Sequence, residues 1–234
     1  MKSLDKVKWS RVKTSVPFLD MVAYLKKHPY VEDKGYGFDF FELDGMRVDA
    51  SYVEKTQRIE TLISPTGEEI QQVYVGYESI RFSLTAVSKS LFLLAVYNPP
   101  KSIKKLTDRL SKDFNYDLGF GGISLNLSNY IDYLISCDTI RLLHIDKVKV
   151  SEVVLNSSSK AVIEIVSKKN ALNELSGILN NKTYSIDKLR LTCSINGALS
   201  FVEVSKTAFI NSDSNHLSLY SDFLITQLSI DEFR

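Results

Sequence analysis

Residues 36 to 53 constrain the fold of this chain more than any other stretch. Two alternating runs, Gly37-Phe38-Asp39-Phe40-Phe41-Glu42-Leu43 and Met46 to Val53, flank Asp44-Gly45, and Asp-Gly between alternating runs is the strongest short hairpin signal a sequence offers. Further strands are expected at 57 to 63, 70 to 76, 78 to 85 and 90 to 97. Pro65-Thr66-Gly67-Glu68, Gly76 and Ser88-Lys89-Ser90 supply the turns between them. The pattern is an antiparallel meander.

Helices flank it. Ser15 and Pro17 read as a cap and first-turn pair for a helix to Lys27, with Phe18, Met21, Val22 and Leu25 as its apolar stripe and His28-Pro29 as its stop. After the apolar run Leu91 to Tyr97, a helix from Pro100 to Phe114 turns Ile103, Leu106 and Leu110 toward the sheet. The cluster Gly119-Phe120-Gly121-Gly122 reads as a flexible junction. Beyond it the pattern gives a helix near Asn129 to Ser136, strands at Thr139 to Val150 and Ala161 to Val166, and a helix from Lys168 to Leu179 capped by Ser167. Strands at Lys188 to Ile195 and Leu199 to Val204 then turn at Asn196-Gly197, and Leu217 to Leu228 is compatible with either helix or strand. The expected fold class is α+β, with two units, 1–118 and 119–234, each a largely antiparallel sheet covered by helices.

Composition narrows the function. A chain of 234 residues with 44% hydrophobic content buries a core without disulfide staples, and 12 Tyr and 12 Phe favour sheet. Cys137 and Cys193 form no CxxC pair, and the leading segment lacks the apolar core of a secretory signal, so a reducing, cytoplasmic setting is expected. No apolar run approaches the ~20 residues that span a bilayer, so no membrane insertion is expected. A formal net charge of +1 excludes a surface built wholly to grip nucleic acid, and leaves local asymmetry.

Two segments carry that asymmetry. On the helix after Pro99-Pro100, Lys101, Lys104, Lys105, Arg109 and Lys112 recur at spacings that one face can present to a phosphate backbone. The plainer reading is that an amphipathic helix needs a soluble outer face. In the leader, Lys2, Lys6, Lys8, Arg11 and Lys13 stand against Asp5 alone, forming either a basic arm with Trp9 free to stack, or an edge strand through Val7, Trp9 and Val12. A third group, Arg141, Lys147 and Lys149 with Lys168 and Lys169, gains meaning only if folding sets it beside other cations.

Enzyme chemistry has less support. Cys137, Asp138 and His144 are the nearest approach to a nucleophile and base, and their apolar neighbours favour packing. Isolated His28, His144 and His216 make no metal-ligand spacing. Glu164 with Lys168 and Glu203 with Lys206 lack the strand-borne acid and lysine pattern of a metal-dependent nuclease. The glycine cluster lacks the Lys and Ser/Thr of a P-loop. No catalytic residue, metal or cofactor is expected.

The segment Tyr97-Asn98-Pro99-Pro100-Lys101-Ser102-Ile103-Lys104-Lys105-Leu106-Thr107-Asp108-Arg109-Leu110, following the hairpin at Asp44-Gly45, resembles the RexA-type phage-exclusion proteins over about 100 residues. The resemblance implies a DNA-binding protein without an active site, often dimeric, acting in antiviral defence or phage exclusion. The expected function is therefore DNA binding, mainly through phosphates, by Lys101, Lys104, Lys105, Arg109 and Lys112 with Lys8 and Arg11 assisting. The alternative is a protein-interaction subunit of a multi-component complex without nucleic-acid binding; a homo-oligomer or a partner protein is the further partner expected beside DNA.

Overall fold

The computed structural model describes residues 5–179 and 182–232. In chain order its elements are β1 (Asp5–Lys13), α1 (Phe18–Lys27), β2 (Tyr36–Asp44), β3 (Arg47–Ile63), β4 (Glu69–Ala86), β5 (Leu91–Tyr97), α2 (Lys104–Asp113) and β6 (Gly119–Gly121). There follow α3 (Leu127–Ser136), β7 (Ile140–Asn156), β8 (Ser159–Val166), α4 (Ala171–Leu179), β9 (Ser185–Ile195), β10 (Ala198–Ser205), β11 (Phe209–Ser212) and α5 (Ser214–Glu232). An α+β class is what these elements give. Residues 12–119 form one compact unit, and residues 5–11 together with the described residues from Phe120 onward form another, so the described leader up to Arg11 groups with the second half of the chain.

In the unit 12–119 the strand order is β2-β3-β4-β5, antiparallel throughout. Gly45, at φ +54°, opens the two-residue loop Gly45-Met46 between the paired Asp44 and Arg47, so the turn sits one residue later than an Asp-Gly type I′ turn and has glycine at the first central position, as in type II′. β5 is buried on both faces from Leu91 to Val96, which is why it reads as a continuous apolar run rather than an alternating one. Phe18, Met21, Val22 and Leu25 of α1 and Leu106 and Leu110 of α2 are buried. Each such side chain is worth about 1.5–3 kcal/mol of burial.

Two expectations change here. Ser15 does not cap α1, whose first residue follows Pro17; its hydroxyl donates instead to Asp117 at 2.6 Å. Gly76 does not break the chain into two strands. It stays extended opposite Thr56, where a Cβ would lie 3.4 Å from Thr56 Oγ1, so the expected strands merge into the 17-residue β3 and 18-residue β4.

In the other unit the order is β8-β7-β9-β10-β11-β1, again antiparallel. Asn196 and Gly197 both take positive φ, +49° and +83°, the combination that a type I′ hairpin turn demands. Val7, Trp9, Leu189, Leu191, Cys193, Val202 and Val204 turn to one face of this sheet and are buried. Trp9 meets the Tyr220 ring edge-on at 5.0 Å, and Tyr220 in turn meets Tyr130 at 5.2 Å. The leader is thus an integral strand, β1, paired with β11. The segment Leu217 to Leu228 is helix, within α5. Ser167 does not cap α4; Asn170 does, accepting from the amides of Leu172 at 3.0 Å and Asn173 at 3.3 Å. Within the glycine cluster Gly119 to Gly121 form β6, and a Cβ on Gly121 would strike the Arg11 side chain.

Candidate nucleic-acid interface

The helix α2 does not present its cations as one strip. Lys105 is drawn to Glu78 at 2.8 Å and Glu54 at 3.3 Å, and these partners hold its ammonium above the ordinary lysine range. Arg109 forms a two-pronged pair with Asp113 and lies 3.9 Å over the Tyr36 ring. Asp108 stands one turn from both Lys104 and Lys112 and splits them. Lys101, Lys104 and Lys112 remain exposed, the first two on the rim of a cavity of about 710 Å³ shared with Glu78 and Asp108. Three solvent-facing lysines separated by carboxylates are the soluble face of an amphipathic helix.

In the leader, Trp9 is 3% exposed and unavailable for stacking on a base. Lys8 is half-buried and gives its ammonium to the Thr207 carbonyl, and burial lowers its pKa. Arg11 is exposed beside Gly121. Lys2 lies outside the described residues.

The third basic group behaves differently. In β7, Val148 and Val150 point into the core, so Lys147 and Lys149 share the opposite face; Leu189 and Leu191 do the same for Lys188 and Arg190 in β9. The register then sets Lys149 directly opposite Lys188 and Lys147 directly opposite Arg190. Side chains so paired have Cβ atoms about 4.5–5.5 Å apart, where like charges destabilise a sheet. Two successive pairs of like charge make a square of four cations.

The square continues into two rows across the strands. One runs Lys147, Arg190, Glu203, Asn211, Lys6; the other runs Lys149, Lys188, Ser205, Phe209, Lys8. From β8 to β1 there are five inter-strand steps of about 4.8 Å, a width of about 24 Å. Phe201, 57% exposed, lies opposite Thr192 on the same face, next to Arg190.

Two carboxylates answer the four cations. Glu203 takes Lys188 at 2.6 Å and Arg190 at 3.0 Å; Glu164 takes Lys147 at 2.6 Å. Burial pushes the Glu203 carboxyl up, and the hydrogen bonds from Lys188 and Arg190 outweigh it, leaving the group below its ordinary range. The hydrogen bond from Lys147 does the same for Glu164. Both acids weighed from the sequence as nuclease carboxylates are therefore ion-pair partners, and Lys206 turns to Asp187 instead. The square keeps an excess of positive charge.

The remaining candidates separate. His144 is not packed among its apolar neighbours but turns to Asp146 at 2.8 Å, away from any pairing with Cys137, and Asp146 also accepts from Thr192 at 2.8 Å. A group that sequence reading missed lies in the core, where Tyr130 and His216 Nε2 are 2.5 Å apart and Cys193 sits 3.7 Å from Nδ1. All three are fully buried, burial lowers His216 to about 4, and burial pushes Cys193 up to about 11. A neutral imidazole and a protonated thiol with no access to solvent are packing groups. Among the described residues no three His, Cys, Asp or Glu side chains converge on a metal position, and no helix is long and apolar enough to cross a membrane. Neither a protein-family model nor a curated protein matches this chain.

Proposed function

We propose that this protein binds DNA without catalysis, through phosphate contacts made by the open face of the β7–β9–β10 sheet, in the kind of role that its resemblance to phage-exclusion proteins suggests. The observation that carries this reading is the cation square, Lys147 and Lys149 opposite Arg190 and Lys188. A sheet gains nothing in stability from like charges placed face to face on adjacent strands. A polyanion laid across them turns that cost into binding. Phosphate contacts of this kind position a duplex without reading its sequence, so sequence preference is weak.

The test is fluorescence anisotropy of a short labelled duplex titrated with the full chain. Four phosphate contacts give a log-log salt slope of about −3.6, an affinity loss of about 150-fold between about 50 and 200 mM salt. Lys149→Gln with Lys188→Gln halves the slope, whereas changing Lys101, Lys104 and Lys112 to Gln leaves it unchanged. Absence of binding at low salt, or a slope that the double change does not move, overturns the proposal.

A second reading, a protein-interaction subunit, is favoured by one observation in the other unit, the exposed apolar residues near the ends of β3 and β4.

A further inference from the structure

The open face of β7, β9 and β10 has a second chemical character beside its charge. Buried and open positions alternate along β10, so Leu199, Phe201, Glu203 and Ser205 share the open face. Leu199 is 62% exposed and Phe201 57%. The register sets Leu199 opposite Ser194 and Phe201 opposite Thr192 on β9, and sets Ser194 in turn opposite Arg141 on β7. Cations therefore line β7, from Arg141 to Lys147 and Lys149, and an apolar pair stands on β10. The short side chains of Thr192 and Ser194 lie between them.

A duplex makes poor use of that pair. It hides the faces of its bases, and its major groove, about 12 Å wide, admits a helix or a two-stranded ribbon. The β9–β10 hairpin is no free ribbon, because β7 pairs with β9 from Ser185 to Ile195. Against a duplex, Leu199 and Phe201 meet sugar and phosphate, where an apolar side chain displaces water from charged groups and makes no hydrogen bond in its place. An unpaired strand differs, since its bases turn away from the backbone and every base has a face to lay on a ring. Two inter-strand steps of about 4.8 Å set β10 about 10 Å from β7, a gap that one sugar and its base bridge.

Resting on the DNA reading above, we propose that this face takes single-stranded DNA in preference to duplex, with phosphates on Lys147, Lys149, Lys188 and Arg190 and a base stacked on Phe201. Leu199, two residues or about 6.6–6.8 Å along the strand from Phe201, extends the platform to the next base, and Arg141 in the same row faces the phosphate of that nucleotide. Stacking on a ring tolerates any base, so the selection is for the unpaired state and not for sequence.

Anisotropy titrations of the full chain against a labelled thymidylate strand of about 12 nucleotides and a duplex of the same length test it. The same four phosphate contacts give a salt slope of about −2.8 on the single strand against about −3.6 on the duplex, so the single strand stays bound at about 200 mM salt where the duplex has largely dissociated. Phe201→Ala weakens the single strand by about 5- to 150-fold and leaves duplex affinity and the melting temperature close to those of the parent. Phe201→Trp retains the affinity, and the thymidylate strand, unlike the duplex, quenches the emission of the added indole; Trp9 is buried and does not report. A duplex bound as tightly as the single strand, or a Phe201→Ala change that moves neither affinity or both alike, overturns this inference and leaves phosphate binding by the cation square standing. Failure of both ligands to bind at low salt overturns the two together.

Discussion

Changing Glu203 to Gln sets the stability of the β7–β9–β10 face against its proposed use. Glu203 is 17% exposed, accepts hydrogen bonds from Lys188 and Arg190, and supplies one of two negative charges facing four positive ones. Hydrogen bonds to charged groups contribute about 1.5–3 kcal/mol each, and a Gln carbonyl still accepts one of them, so the expected destabilisation is about 2 kcal/mol. At about 2–4 °C per kcal/mol for a chain of this size, the melting temperature falls by about 4–8 °C.

Binding moves the other way. A carboxylate removed from about 6 Å beside a bound phosphate relieves a repulsion of about 0.7 kcal/mol in water-like dielectric, or about threefold in affinity. Screening over about 8 Å at physiological salt shrinks that gain, so the increase is larger at low salt. Differential scanning fluorimetry and duplex anisotropy on the same preparation read both quantities. A variant that melts lower and binds DNA more tightly supports the square as the anion site. A variant that melts lower and binds equally or less well refutes it, because Lys188 and Arg190 would then serve only to hold the sheet.

Three further outcomes follow from the packing. His216 is buried with its pKa lowered to about 4, against about 6.5 in the unfolded chain, so its contribution is complete above pH 6.5 and declines as pH falls toward 4. The slope is about 1.4 kcal/mol per pH unit, or about 2 kcal/mol between pH 6.5 and 5 in denaturant titrations, and His216→Gln removes most of that slope. The Tyr220 hydroxyl is buried without a hydrogen bond among the described residues, so Tyr220→Phe raises stability by about 1 kcal/mol, and a lowered melting temperature would show the hydroxyl to be engaged. Gly37 lies against the Tyr30 backbone and the Pro29 carbonyl where a Cβ has no room; Gly37→Ala costs about 3 kcal/mol, read by chemical denaturation.

Local signals located most of the elements. The Asp44-Gly45 and Asn196-Gly197 turns, the stripe Phe18-Met21-Val22-Leu25, and the apolar β5 each carry their own period or turn chemistry, and each is found where that chemistry puts it, the first turn one residue later. The failures also have local causes. Gly76 reads as a turn because glycine permits one, but the opposing strand pairs straight through it, and no pattern within β4 announces that 35 residues of β3 and β4 form one continuous ribbon. Ser15 and Ser167 look like caps until Asp117 and Glu174 claim their hydroxyls from elsewhere in the chain. β11, four residues between a turn and a helix, is too short to show alternation.

The charged site was legible only in its parts. A helix advertises its cations at three- and four-residue spacing, yet the same spacing admits Asp113, which with Glu54 and Glu78 takes Arg109 and Lys105, and Asp108, which stands between Lys104 and Lys112. A sheet distributes a patch over strands that are remote in sequence. Lys147 and Lys149 stand some 40 residues from Lys188 and Arg190, and only the register of β7 on β9 makes them neighbours. The physical difference between the two patches lies in their counter-charges. On α2 the acids come from the helix itself and from the strands beneath it, and they take Lys105 and Arg109. On β7 and β9 the two acids, Glu164 and Glu203, stand on the flanking strands and answer half of the charge. On the proposed reading, like charges left at adjacent positions of β7 and β9 are the cost that a bound anion would relieve.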